Sequence, residues 1–270
     1  MLEIRNAQKV FLKGTPNEQY ALRRVNLTLQ AGEFVTVIGS NGAGKSTLFN
    51  AIGGTFLLDG GSILLEGTDL TYMAEHRRAR MIGRLFQDPM KGTAPGMTIE
   101  ENLALAYNRK SRNPLRPGVS RGDQDFFRQE LARLDMGLED RMKTKVGLLS
   151  GGQRQALSLM MSTIANPRLL LLDEHTAALD PAAAEKIMEI TKTVVAEKKL
   201  TAMMITHNIQ SALKTGTRTI MLDSGQIILD LQGEERKALT VAQLMELYCQ
   251  KSAGDLDDDR MLLVKDQQPG

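Results

Sequence analysis

Apolar and polar positions divide this chain of 270 residues into stretches of two periods. Up to about residue 37 the apolar positions alternate with polar ones, from Leu2 to Val10 and then at Val25, Leu27 and Leu29. A two-residue period with polar partners predicts an antiparallel, half-exposed sheet. Phe34 to Ile38 is instead a short apolar run rich in β-branched residues, which predicts a strand, and Leu48 to Ile52 begins a helix behind it. Further strands are expected near Ser62–Leu65, over Ile82–Phe86, over Leu169–Leu172 and over Thr201–Ile205, with a short helix from Ala74 to Arg80. The Leu169–Leu172 run is fully apolar, as in a parallel strand buried on both faces.

From about 90 to 165 the pattern turns helical. Thr98-Ile99-Glu100-Glu101 has capping-box spacing with Leu103 and Leu105 behind it, and Asp123–Leu134 places Phe126, Phe127, Leu131 and Leu134 on one side. Arg109 to Arg121 carries five basic residues, two prolines and no acid, and reads as a solvated loop. Ser150 with Gln153 three residues on reads as an N-cap, and Met160 and Met161 behind it as core filler. Pro181, at the favoured first position, opens a long helix. From about 231 a helix capped by Thr240 and Gln243 and an acidic segment, Asp255 to Asp259, are expected to form an exposed tail.

Chemistry enters between the Phe34–Ile38 strand and the helix that follows. Gly39-Ser40-Asn41-Gly42-Ala43-Gly44-Lys45-Ser46-Thr47 has the spacing G-x-x-x-x-G-K-[ST] of a phosphate-binding loop. Glycines let the backbone curl so that successive N–H groups meet phosphate oxygens, and the helix N-terminus adds positive potential. Lys45 can reach the β- and γ-phosphates, and the Ser46 hydroxyl can take one Mg²⁺ position. A glycine-rich turn that happens to precede a lysine is the plainer reading, and an eight-position match in strand-to-helix context argues against it. The loop marks a nucleoside triphosphate site.

The ends of the other apolar strands repeat the theme. Ile82–Phe86 is followed by Gln87, Leu169–Leu172 by Asp173 and Glu174, and Thr201–Ile205 by Thr206 and His207. Ligands of open parallel sheets bind at the carboxyl ends of strands, so one crevice can collect these residues with Gly39 and Lys45. There Asp173 can hold Mg²⁺ opposite Ser46, and Glu174 can deprotonate an attacking water. Taken alone, two acids capping a turn and a structural histidine would be the ordinary readings. Gly151 and Gly152 exceed what the Ser150 cap needs and suggest a second anion site at a helix N-terminus. Phe11, placed in the loop after the first strand, can stack on an adenine ring or pack at a strand end, and the residues do not choose.

Composition narrows the class. Hydrophobic residues at 42% and charged residues at 24% are ordinary for a globular protein with a large core. No apolar run is long enough to cross a bilayer, and Met1-Leu2-Glu3-Ile4-Arg5 lacks a signal-peptide pattern, so a cytosolic setting is expected. Cys249 alone cannot form an intramolecular disulfide and reads as a packed side chain. A net charge of +2 without any Trp gives no sign of nucleic-acid binding.

Together the phosphate loop, Gln87, Leu149-Ser150-Gly151-Gly152-Gln153, Leu169 to Glu174, Ala178-Leu179-Asp180 and His207 resemble the motif set of an ATP-binding-cassette (ABC) nucleotide-binding domain. The resemblance covers roughly residues 1–230, with a short C-terminal helix and acidic tail over 231–270. It implies an α/β P-loop NTPase (RecA-like) core with a parallel sheet, an N-terminal antiparallel β subdomain and an inserted α-helical subdomain at about 90–165. It further implies ATP and Mg²⁺ as cofactors. Phe11 would stack on adenine, residues Gly39 to Thr47 would hold the phosphates, and Ser46, Gln87 and Asp173 would hold the metal. Lys45, Gln87, Glu174 and His207 would act in hydrolysis, with Asp180 in the loop joining two sites. Ser150, Gly151, Gly152 and Gln153 would act on ATP held by a second copy or a homologous chain. Two positions depart from the commonest pattern, Ser40 and His175, where Pro is frequent; His175 could alter the pH dependence.

One motif set and no membrane span imply separate transmembrane permease subunits, with this chain peripheral at the cytoplasmic face of the inner membrane. The run Phe86 to Leu103 resembles ATPases of bacterial uptake systems, some of which stand beside amino-acid-binding proteins, so an extracytoplasmic solute-binding protein and amino-acid uptake are implied. The alternative is an ATP-gated switch or clamp not coupled to transport. A chromosome-type clamp needs a long coiled coil that the sequence lacks, and a P-loop kinase leaves Ser150–Gln153 and His207 unexplained.

Overall fold

The computed structural model describes residues 1–108 and 119–251. Most of the basic stretch and the acidic segment Asp255–Asp259 lie outside the described residues. In chain order the elements are β1 (Leu2–Phe11), β2 (Gln19–Leu29), β3 (Phe34–Ile38), α1 (Lys45–Gly53), β4 (Gly60–Leu65) and β5 (Thr68–Asp69). Next come α2 (Glu75–Arg78), β6 (Ile82–Leu85), α3 (Ile99–Tyr107), α4 (Arg121–Ala132), α5 (Gly151–Thr163), β7 (Leu169–Asp173) and α6 (Pro181–Glu197). The last described are β8 (Ala202–Ile205), α7 (Ile209–Lys214), β9 (Arg218–Asp223), β10 (Gln226–Gln232), α8 (Gly233–Ala238) and α9 (Val241–Lys251). Two compact units divide the chain, one of Met1–Glu75 with Thr201 onward, the other of His76–Leu200.

The first unit contains two groups of strands. β2, β1, β4 and β5 form an antiparallel sheet in that order. Val25, Leu27 and Leu29 of β2 are buried between exposed neighbours, as the alternation predicts. In the other group β3 pairs in parallel with β8 and β9, and β10 is antiparallel to β9. Every residue of β3 and β8 is buried, the state that a continuous apolar run specifies. The β9–β10 turn, at Ser224 (φ 47°) and Gly225 (φ 78°), joins Asp223 to its partner Gln226. Left-handed backbone at both central residues matches the right-handed twist of a hairpin.

The segment expected as an exposed tail is packed as far as residue 251. Leu244 and Tyr248 of α9 share a core with Ile38, Ile209, Met221, Leu229 and Leu231, and Val241 and Met245 pack against it. Those positions fall on one helical face. The preceding α8, which the sequence pattern does not announce, buries Arg236. Its guanidinium donates to the carbonyls of Ala212 (2.7 Å) and Thr215 (2.6 Å) and to the Thr219 hydroxyl (2.8 Å). Two of these are carbonyls at the end of α7, which would otherwise lack donors. Leu244→Ala is expected to cost about 2–5 kcal/mol of stability. A urea midpoint equal to that of the wild type would show that α9 adds nothing to this core.

In the second unit β6 and β7 pair in parallel, from Ile82 with Leu169 to Leu85 with Leu172. Thr98, Ser120 and Ser150 complete capping boxes on α3, α4 and α5, and Asp180 caps α6 ahead of Pro181. Phe127, Leu131 and Leu134 are buried, and the Tyr107 ring lies 5.3 Å from that of Phe126 and 5.7 Å from that of Phe127. Met160 and Met161 are core, as expected. Leu105 is not: it is 57% exposed while Leu103 is fully buried. Two residues along a helix is a turn of roughly 200°, so both cannot face inward. Arg121, read as loop, opens α4.

Candidate functional site

In the first unit the phosphate loop leaves β3 at Gly39, whose φ of 146° is open only to glycine. A Cβ there would stand 2.1 Å from the Leu222 carbonyl oxygen. Gly44 (φ 100°) is equally constrained, since its Cβ would stand 2.5 Å from the Ala21 carbonyl oxygen. Gly42 has a positive φ of 80° in open space. The glycines therefore serve both curvature and close approach of neighbouring strands. Lys45, 5% exposed, donates to the carbonyls of Gly39 and Ser40, both at 2.7 Å. Its ammonium thus lies within the curl of the loop. Ser46 is exposed, Thr47 half-buried, Asn41 exposed and Ala43 buried.

A combination of two features marks the N-terminus of α1. Gly44 provides no side-chain cap, and no acidic residue lies in the first turn. Among the described helices, α8 also lacks a side-chain cap but carries Glu234 and Glu235 in its first turn. By contrast α3, α4, α5, α6 and α7 are each capped by a side chain. Uncapped first-turn N–H groups are donors for an anion, and no carboxylate repels one.

His207 belongs to the same unit and the same strand ends. β3 and β8 run in parallel with Val37 opposite Ile205, so Gly39 and His207 each leave the sheet at its carboxyl edge. Ile38, Gly39, Ser40, Thr206 and His207 line one small cavity with Tyr248 of α9. Phe11, expected in a loop, is instead the last residue of β1, paired with Gln19. Its ring meets that of Phe56 edge-on at 5.4 Å, with the Lys9 ammonium 5.6 Å from its centroid. It is half-buried at this strand end, which leaves part of its ring accessible.

The second unit brings another set together. With Leu85 opposite Leu172, parallel β6 and β7 deliver Gln87 and Asp173–Glu174 to one sheet edge. Gln87 is exposed, and Asp173 and Glu174 are half-buried. A guanidinium nitrogen of Arg84 lies 3.7 Å from Asp173 Oδ2, and this guanidinium sits over the Phe86 ring at 4.6 Å. Gln155, fully buried on α5, donates to the Phe86 carbonyl at 3.4 Å and so ties α5 to the start of the Gln87 loop. Among the described residues no cluster of three or more His, Cys, Asp or Glu could cage a metal.

Ser150 accepts from the Gln153 backbone N–H at 3.2 Å, and the Gln153 side chain accepts from that of Ser150 at 3.3 Å. The cap reading holds, and one first-turn donor of α5 is thereby used. Gly152 has a packing reason of its own, since a Cβ would stand 3.3 Å from that of Ala183. Gly151 is exposed. His175 is 2% exposed, and burial lowers its pKa to about 4. Burial thus favours the neutral imidazole over the charged one.

Sequence reasoning missed Gly225. Its N–H donates to the Ala43 carbonyl (3.0 Å) and its carbonyl accepts from the Arg23 N–H (2.8 Å), bracing the phosphate loop against β2. The signal was available as Asp223-Ser224-Gly225 before an alternating run.

Known proteins resemble this chain. Residues 22–177 match the family model described as ABC transporter. The tyrosine transport ATP-binding protein of Clostridioides difficile (strain R20291) is 43% identical over 250 residues, covering 92% of this chain and 98% of that protein. The thiamine import ATP-binding protein ThiQ of Escherichia coli (strain K12) is 32% identical over 76% of this chain and 83% of its own length. Among solved structures, the dimeric post-hydrolysis state of the ATP-binding cassette MJ0796 bound to ADP and Pi matches with a TM-score of 0.74 at 29% identity, covering 86% of this chain and 98% of that one. The chain belongs to the ABC transporter family. It is an ABC-type ATPase with the P-loop NTPase fold.

Proposed function

We propose that this chain powers uptake of a small solute, an amino acid, through separate transmembrane subunits. The observation that carries the ATP-driven part is the uncapped, carboxylate-free N-terminus of α1 with Lys45 buried inside its loop. The 43% identity to a tyrosine transport ATP-binding protein over nearly the full length of both chains supports amino-acid cargo. The 32% relative, whose name specifies thiamine import, supports the direction but not the compound.

On this reading ATP lies on residues Gly39 to Thr47, with Phe11 against adenine and His207 at the γ-phosphate. Ser46, Gln87 and Asp173 would hold Mg²⁺, which would neutralise phosphate charge. Glu174 takes the proton of the attacking water. Ser150, Gly151, Gly152 and Gln153 complete the site on a second copy or a homologous chain, the dimeric MJ0796 cassette being the supporting likeness. No described helix is long and apolar enough to cross a membrane, in keeping with attachment to a permease at the cytoplasmic face. A solute-binding protein on the other side would deliver the cargo.

The test is purification of tagged chain from membranes of its own cell, followed by reconstitution. An integral membrane partner is expected to co-purify, and tyrosine or another amino acid is expected to stimulate ATP turnover in proteoliposomes. Turnover with no membrane partner and no response to amino acids favours the ATP-gated switch instead.

A further inference from the structure

We propose that His175 is a positioning residue for Glu174, acting through a hydrogen bond to Thr191 on α6. The inference rests on the reading of Glu174 as the general base. It begins with the backbone. Glu174 has a φ of 46°, in the left-handed region that a residue with a Cβ avoids, and its carbonyl accepts from the Ala177 N–H at 3.0 Å to close a turn. Such a conformation persists only where the surroundings fix it.

The next residue supplies the fixing. His175 is 2% exposed, whereas Ala177 and Ala178 in the same turn are exposed. Its Nε2 lies 3.1 Å from Thr191 Oγ1. Thr191 is fully buried, and its hydroxyl hydrogen is already directed at the Ile187 carbonyl, 2.7 Å away. The threonine oxygen must therefore accept, so the imidazole carries its hydrogen on Nε2. Nδ1 then bears the lone pair, and it is buried with no hydrogen-bond partner.

That orphaned nitrogen decides between packing and positioning. An apolar side chain of similar volume would fill the space without an unmet acceptor, which is costly when buried. What the imidazole adds is one directional bond from the residue adjoining Glu174 to a long helix. The bond fixes the 174–175 peptide and, through it, the direction in which the Glu174 carboxylate leaves the backbone.

Steady-state ATP hydrolysis and fluorescent-ATP binding by the full chain test this, with Thr191→Val, Thr191→Ser, His175→Ala, His175→Gln and Glu174→Gln compared. Thr191→Val removes the acceptor at a distance from the reacting groups and is expected to lower kcat on the order of tenfold, with KM and nucleotide affinity unchanged. Thr191→Ser keeps the oxygen and is expected to match the wild type. His175→Gln, whose amide reaches the Nε2 position, is expected to recover part of what His175→Ala loses. Wild-type kcat in Thr191→Val beside an inactive Glu174→Gln overturns the positioning role, as do equal losses in Thr191→Val and Thr191→Ser. Full turnover in Glu174→Gln overturns the general-base reading on which it stands.

Discussion

Glu174→Gln is expected to lower ATP turnover by on the order of 10²–10⁴ while nucleotide stays bound. That range corresponds to roughly 3–5 kcal/mol of barrier. The amide has the shape of the carboxylate but cannot take the proton of water. Side-chain volume and the neighbouring bonds from the Glu174 carbonyl to Ala177 and from His175 to Thr191 are retained. On the proposed reading binding belongs to other atoms, the loop amides and Lys45. The variant should therefore bind ATP as the wild type does and accumulate in the closed form in which two chains share nucleotide. Phosphate release and size-exclusion chromatography with ATP and Mg²⁺ read both quantities. Turnover at the wild-type rate would remove Glu174 from the proton transfer.

How much of this is legible in the sequence depends on how local each feature is. The strand–loop–helix around Gly39 to Thr47 is, because its pattern is written in nine consecutive residues. So are the caps at Thr98 and Ser150, where both partners lie within one turn. Packing over long separations is not. The amphipathic face of α9 shows in the sequence, but its partners Ile38 and Met221 do not, so a docked helix reads as an exposed tail. The burial of His175 depends on α6, with Thr191 sixteen residues on, and no local pattern announces it. Phe11 reads as loop because Lys13-Gly14-Thr15-Pro16-Asn17 follows it, whereas pairing with Gln19 extends β1 one residue further than the alternation suggests. Gly225 is missed because its role is to support atoms about 180 and 200 residues earlier, Ala43 and Arg23.

Lys45→Ala should give the opposite signature, lost binding rather than trapped substrate. The ammonium bonds the Gly39 and Ser40 carbonyls at 2.7 Å and is buried in the loop that the glycines curl. Alanine leaves those carbonyls without that donor and removes the positive charge facing the phosphates. Hydrogen bonds to charged groups contribute about 1.5–3 kcal/mol, so ATP affinity is expected to fall between about tenfold and a hundredfold. Lys45→Arg would not restore it, because a planar guanidinium cannot take the place of a compact ammonium between two carbonyls. Titration with fluorescent ATP separates the cases: Glu174→Gln is expected to overlay the wild-type curve, and both Lys45 variants are expected to shift to weaker binding. An unshifted Lys45→Ala curve would mean that this loop does not hold the triphosphate. In that event the uncapped end of α1 would need a different anion, and the assignment of Ser46 to the metal would fall with it.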